Sequence, residues 1–198
     1  MEKSTIINIF MEVWPMMLIF CVVIISLRIV FILKTNHNFV VYKELFYLAF
    51  LIYIMLLFHI VTFQDVTWST SNFTPFKEIF RYTFGSRAFY KNVVGNMIMF
   101  MPYGFFVSYF ISLKKPYLIL LLSLIVSITI ETTQLVIGRV FDIDDIFLNI
   151  LGAFIGYLIY RFLSEVIKKL PSFLKKDYIY NIIIISVIIG IITIFIVL

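Results

Sequence analysis

Between Ile130 and Gly156 the chain reads IETTQLVIGRVFDIDDIFLNILGAFIG. Glu131 and Gln134 sit within one apolar run. Arg139, Asp142, Asp144 and Asp145 fall in a short polar break, and Asn149, Gly152 and Gly156 follow inside a second apolar run. Carboxylates and amides at this density offer oxygen ligands for a divalent ion such as Mg²⁺, Mn²⁺ or Ca²⁺. They equally offer acceptors for the amines or hydroxyls of a glycan or peptide. One buried acid beside one exposed acid also makes a general acid/base pair. Their surroundings single them out: a charged or amide group inside hydrocarbon is costly unless partnered, so it marks a functional site by default.

The elements that must position these residues are membrane helices. The chain has 198 residues, 63% of them hydrophobic and 14% charged, more apolar than a soluble domain of this size. Its mean hydropathy is +1.08. No stretch alternates apolar and polar residues, which argues against a barrel. The fold class is all-α, a polytopic transmembrane helical bundle of about six spans at roughly 20 apolar residues each. The net charge of +5 does not point to nucleic acid, because the Lys and Arg residues flank apolar runs and act as topology signals and lipid contacts. Cys21 is alone, so no intramolecular disulfide forms. The first apolar run has no basic leader or small-residue cleavage site and reads as a retained helix.

The expected spans are Ile9–Leu33, Phe39–Phe63, Asn92–Leu113, Tyr117–Ile137, Ile146–Leu163 and Tyr178–Leu198. This divides the chain into an N-terminal helix (1–38), a four-helix core (39–163) with a long loop at 64–91, and a basic linker with a last helix (164–198). Pro15 interrupts the first span, where Arg28 is expected to reach the nearby interface. His59 reads as a helix-end histidine rather than a ligand. Phe76–Tyr82 has apolar residues at helical spacing, as a short interfacial helix would. Met101-Pro102-Tyr103-Gly104 is expected to break and kink the third span, freeing backbone carbonyls.

Counting Lys and Arg on alternating sides puts nine on one face and six on the other. The richer set, at 34–43, 114–116 and 161–176, is the expected cytoplasmic side. Both termini, the 64–91 loop and the Arg139–Asp145 loop are then extracytoplasmic. On this topology Glu131 lies about 9 Å below the outer end of its helix, and Asn149 and Asn96 each lie about 6 Å down theirs. Three helices thus bring a carboxylate and two amides to one depth.

Faces agree with this convergence. Ser127, Glu131 and Gln134 share one helical stripe, and Asp145, Asn149, Gly152 and Gly156 share another. The Gly152/Gly156 pair lets a neighbouring helix approach closely, bringing Asn149 within reach of the fourth span. Asn92, Gly95 and Asn96 make a similar patch on the third. Taken singly, Asn96, Gln134 and Asn149 also read as glue between helices. Glue does not need Glu131, Asp142 and Asp145 together, which favours a function for the acids. Asp144 faces away from Asp145 and reads as a solvated or N-capping carboxylate.

In order along the chain, Asn72-Phe73-Thr74-Pro75-Phe76, Asn96 with Phe100, Pro102 and Gly104, Glu131-Thr132-Thr133-Gln134, and Asp142/Asp145/Asn149/Gly152 reproduce a set of short motifs. They resemble N-L-x-P-F, N-x-x-x-F-x-P-x-G, E-x-x-Q and D-x-x-D-x-x-x-N-x-x-G of the VanZ-like family of membrane proteins. The resemblance covers roughly Asn72 to Phe162, makes the first helix an addition to the family core, and gives Arg139 little weight. It implies a protein of Gram-positive bacteria that is linked to antibiotic resistance, chiefly to teicoplanin and the lipoglycopeptides.

The leading expectation is therefore an envelope protein that lowers sensitivity to glycopeptides through an outward-facing acidic and amide site. Its ligand-binding candidates are Asn96, Glu131, Gln134, Asp142, Asp145, Asn149 and Arg87, with Pro75, Phe76, Pro102, Gly104, Gly152 and Gly156 as structural residues. Membrane lipids are expected partners, together with a lipid-linked cell-wall precursor or a lipoglycopeptide. An alternative is a membrane hydrolase or transferase with Glu131, Asp142 and Asp145 as catalytic acids and Arg81, Arg87 and Lys91 as phosphate contacts. No G-x-S-x-G, H-E-x-x-H or Walker motif supports that chemistry. A small transporter or flippase is the third reading, weakened by the lack of an inverted repeat. No motif calls for a cofactor, and any metal beyond the oxygen-ligand chemistry above is left unspecified.

Overall fold

The computed structural model describes residues 3–35, 39–63 and 71–197, with side chains described for 13–35, 39–62, 71–190 and 193. Residues 36–38 and 64–70, which fall in the expected loops at 34–43 and 64–91, and Leu198 lie outside the described residues.

The described chain is helical. Helices α1 (Lys3–Thr35) and α2 (Val41–Phe63) precede a one-turn helix α3 (Lys77–Arg81). Then come α4 (Arg87–Ile111), α5 (Pro116–Val136), α6 (Ile143–Lys169) and α7 (Asp177–Val197). Five of them, α1, α2, α4, α5 and α6, are long and apolar enough to cross a membrane. The sixth expected span is α7, whose stretch Asp177–Gly190 is apolar but shorter.

Local chemistry sets the boundaries of α5. Pro116 opens it, where a missing N–H costs nothing. Gly138 closes it with φ +84°, a left-handed conformation that suits glycine. The Arg139 N–H then reaches back to the Gln134 carbonyl at 2.8 Å, which turns Arg139 over the end of the helix.

The chain divides into two compact units. One holds Trp14–Ile52 and Ser164–Leu198. Here the Arg28 guanidinium pairs with Glu44 at 2.8 and 3.0 Å and lies over the Tyr47 ring. The two-pronged geometry explains why an apolar helix tolerates the charge. Asn181, a polar residue in the otherwise apolar last helix, accepts the Tyr42 backbone N–H at 2.9 Å and so caps the start of α2.

The other unit holds Met1–Val13 and Tyr53–Leu163. Its centre is a seam between α4 and α6. A Cβ on Gly152 would run into the Met97 carbonyl, one on Gly156 into that of Met101, and one on Gly104 into that of Ala153. The backbones touch because these three positions carry no side chain. The close approach expected of Gly152 and Gly156 is thus made to the third span and not to the fourth. Nor does Met101–Gly104 break the third span, since Gly95–Ile111 runs as one helix through Pro102. Gly104 serves packing there, and Phe100, Ile119 and Ala153 complete a fully buried core.

Candidate functional site

The site begins with a strap. Asn72 is 5% exposed and lies alongside the segment before α6. Its N–H donates to the Phe141 carbonyl at 2.8 Å, and its carbonyl accepts the Ile143 N–H at 3.0 Å. Its side-chain amide donates to Asp142 Oδ1 at 2.9 Å. Asp144 then holds the next turn: its carboxylate accepts the N–H groups of Phe76 (2.5 Å), Glu78 (2.7 Å) and Ile79 (3.2 Å). Those are the unpaired donors at the start of α3, so Asp144 caps a helix remote in sequence from its own. It is 1% exposed, so of the two expected roles, solvated or N-capping, the solvated one is corrected, and the helix it caps is not its own. Phe76 takes a left-handed φ of 66° at this junction and stacks on Phe147 at 5.3 Å.

Beneath the strap is a cavity of about 480 Å³ between α2, α4, α5 and α6. Helix α5 carries Ser127, Glu131 and Gln134 on one buried stripe, as their spacing predicts, and Glu131 and Gln134 line the cavity. Glu131 is 2% exposed, and its Oε2 accepts the Asp142 N–H at 3.0 Å. The Gln134 amide fits between Glu131 Oε1 (3.1 Å from its nitrogen) and Arg139 Nη1 (3.2 Å from its oxygen). Arg139 also donates to the Val61 carbonyl.

From α4, Asn96 donates to Asp145. A π-helical turn at Tyr90–Val94 precedes it and carries Lys91 and Asn92 to the cavity wall. From α6, Asn149 donates to Ser127 Oγ at 3.0 Å, which fulfils the expected contact with the fourth span. Its Oδ1 is buried and has no hydrogen-bond partner. The exposed Arg81, paired with Glu78 at 3.0 Å, also lines the cavity, as does Tyr82.

Outside the helices, burial raises the Asp142 carboxyl above the ordinary aspartate range, opposed by the Asp144 N–H and the Asn72 amide. Burial likewise raises the Tyr82 hydroxyl. Glu131 and Asp145 form no ion pair among the described residues. Among those residues, too, no three His, Cys, Asp or Glu side chains converge as a metal ion would require.

Six of the candidate ligand-binding residues therefore line one cavity: Asn96, Glu131, Gln134, Asp142, Asp145 and Asn149. Arg87 does not, being exposed at the start of α4. Pro75 and Phe76 lie in the strap, and Pro102, Gly104, Gly152 and Gly156 lie in the α4–α6 pair. Sequence reasoning named Asn72, Asp144 and Arg139 but left them out of the ligand-binding set. Asn72 stands at the head of the first family-like motif, but nothing in its spacing points to Asp142.

The arrangement concentrates acceptors at depth and places exposed cations beside them. Such a cavity can hold a polar group that brings hydrogen-bond donors into a helical bundle. The family model described as VanZ/LLP1 matches residues 44–164, more than half of the chain and all of the site. No curated protein and no solved structure matches the chain.

Proposed function

The chain belongs to the VanZ/LLP1 family, and from that membership we propose that this multi-pass membrane protein lowers the sensitivity of the cell envelope to glycopeptide antibiotics, teicoplanin and the lipoglycopeptides among them. On this reading it does so by holding the polar part of a lipid-linked molecule, either a cell-wall precursor or the drug itself. The observation that carries the proposal is the cavity in which Glu131, Asp145, Asn96 and Asn149 meet from three membrane helices. The Lys and Arg bias supports an extracytoplasmic opening, on the side where such molecules are exposed.

Expression in a teicoplanin-sensitive Gram-positive host tests this. Susceptibility should fall, and Glu131→Gln, Asp142→Asn and Asp145→Asn should each abolish the effect. Unchanged susceptibility with confirmed membrane insertion would sink the reading.

One feature favours a second reading. Glu131 and Asp145 share the cavity with Arg81 and Lys91, the groups a phosphoester-cleaving or transferring enzyme would use on a lipid-linked precursor. Incubating the purified protein with an undecaprenyl-linked precursor, with and without Mg²⁺, decides it: no turnover in either condition removes the enzyme.

A further inference from the structure

Two acidic side chains, Glu131 and Asp145, line one cavity inside the helical bundle and are available to a ligand that brings donors or positive charge. Glu131 is 2% exposed, and it meets the Asp142 N–H at 3.0 Å and the Gln134 amide nitrogen at 3.1 Å. Asp145 receives the Asn96 amide. All of these donors are neutral, and neither acid forms an ion pair among the described residues. Arg139 lines the same cavity but is turned to the Val61 carbonyl and the Gln134 oxygen.

Asn149 adds an independent observation. It is 2% exposed and lines the same cavity. Its nitrogen is spent on Ser127, and its Oδ1 has no donor. A buried amide oxygen without a donor is unfavourable, so Asn149 lacks an N–H or O–H donor.

We propose that the cavity takes a primary ammonium group borne by a phosphate-containing membrane lipid, its three N–H groups shared among Glu131, Asp145 and Asn149. A primary ammonium carries three donors and one positive charge, matching three acceptors of which two are acidic side chains. A trimethylated ammonium carries the charge without the donors. A divalent ion fits less well, because among the described residues no three His, Cys, Asp or Glu side chains come together as a metal ion would require. Arg81 and Lys91 are exposed, line the same cavity and suit the phosphate of the same headgroup. This assignment deepens the function proposed above and rests on its cavity, but it makes a separate claim about chemistry.

The test uses the full-length protein in detergent. It is offered equimolar phosphatidylethanolamine and its mono-, di- and trimethylated forms with identical acyl chains, and the retained lipid is read by native mass spectrometry. Retention should fall at each methylation, reaching about tenfold or more between the first and last lipids. The Glu131→Gln/Asp145→Asn pair should flatten the series. Equal retention across the series by the unaltered protein would overturn the proposal, with no variant needed. Displacement of the lipid by free ethanolamine phosphate would confirm that the headgroup is the part bound. Binding of ethanolamine phosphate without any preference among the lipids would overturn the lipid source. If the series is flat while teicoplanin susceptibility still depends on Glu131, the ammonium site falls and the function stands. If the series is graded but susceptibility never changes, the ammonium site stands and the function falls.

Discussion

The carboxylate of Asp144 accepts the backbone N–H of Glu78 at 2.7 Å, across 66 residues of sequence. With its bonds to Phe76 and Ile79, this one side chain anchors the strap over the cavity. Hydrogen bonds to a charged acceptor contribute about 1.5–3 kcal/mol each. Asp144→Ala should therefore cost about 3 kcal/mol or more, and Asp144→Asn less, because one acceptor oxygen remains. Thermal unfolding in detergent measures the loss, and limited proteolysis should cut first within 77–81. An unchanged midpoint would mean that the stacked Phe76 and Phe147 hold the strap without Asp144.

Gly152 and Gly156 give a second expected outcome. A Cβ at either would meet a backbone carbonyl, which no rotamer change relieves. Gly152→Ala and Gly156→Ala should each destabilise by about 1–3 kcal/mol, as overpacking does. Gly190 has nothing within 4 Å of the same position, so Gly190→Ala should be neutral or slightly stabilising. Equal behaviour of the three variants would refute a backbone seam between α4 and α6.

Glu131 separates folding from function. Glu131→Gln keeps an oxygen for the Asp142 N–H, whereas Glu131→Ala leaves that donor without a partner. The alanine variant should lose about 1–3 kcal/mol, and the glutamine variant much less. Both should lose the effect on teicoplanin susceptibility. A glutamine variant that retains the effect would assign Glu131 to structure.

Asp142 makes a statement about pH. Burial raises its carboxyl in the folded protein, so the folded state keeps a proton that the unfolded chain has already released. Stability from this group is present below the unfolded value of about 4 and is lost as pH rises through the raised folded value. Asp142→Asn keeps an acceptor for Asn72 and for the Asp144 N–H without titrating. Its melting temperature relative to the parent should therefore rise from about pH 4 to about pH 7. A difference independent of pH would mean that the hydrogen bonds outweigh burial.

What the sequence determined by itself was the membrane character of the chain, its long helices, and the stripe of Ser127, Glu131 and Gln134. Each follows from hydropathy or from a period of 3.6 residues, which are properties of neighbours along one helix. The same local logic placed Asp144 opposite Asp145 but could not say what lay on that side. Only the tertiary structure decided that it is the first turn of Lys77–Arg81, that Asn72 pairs with Asp142, and that the glycines of α6 meet the third span. Those contacts join segments far apart in the chain, and the distance between two helices is written in neither periodicity. The same holds for Asn149 Oδ1: its type was readable in the sequence, but its lack of a donor depends on every helix around it.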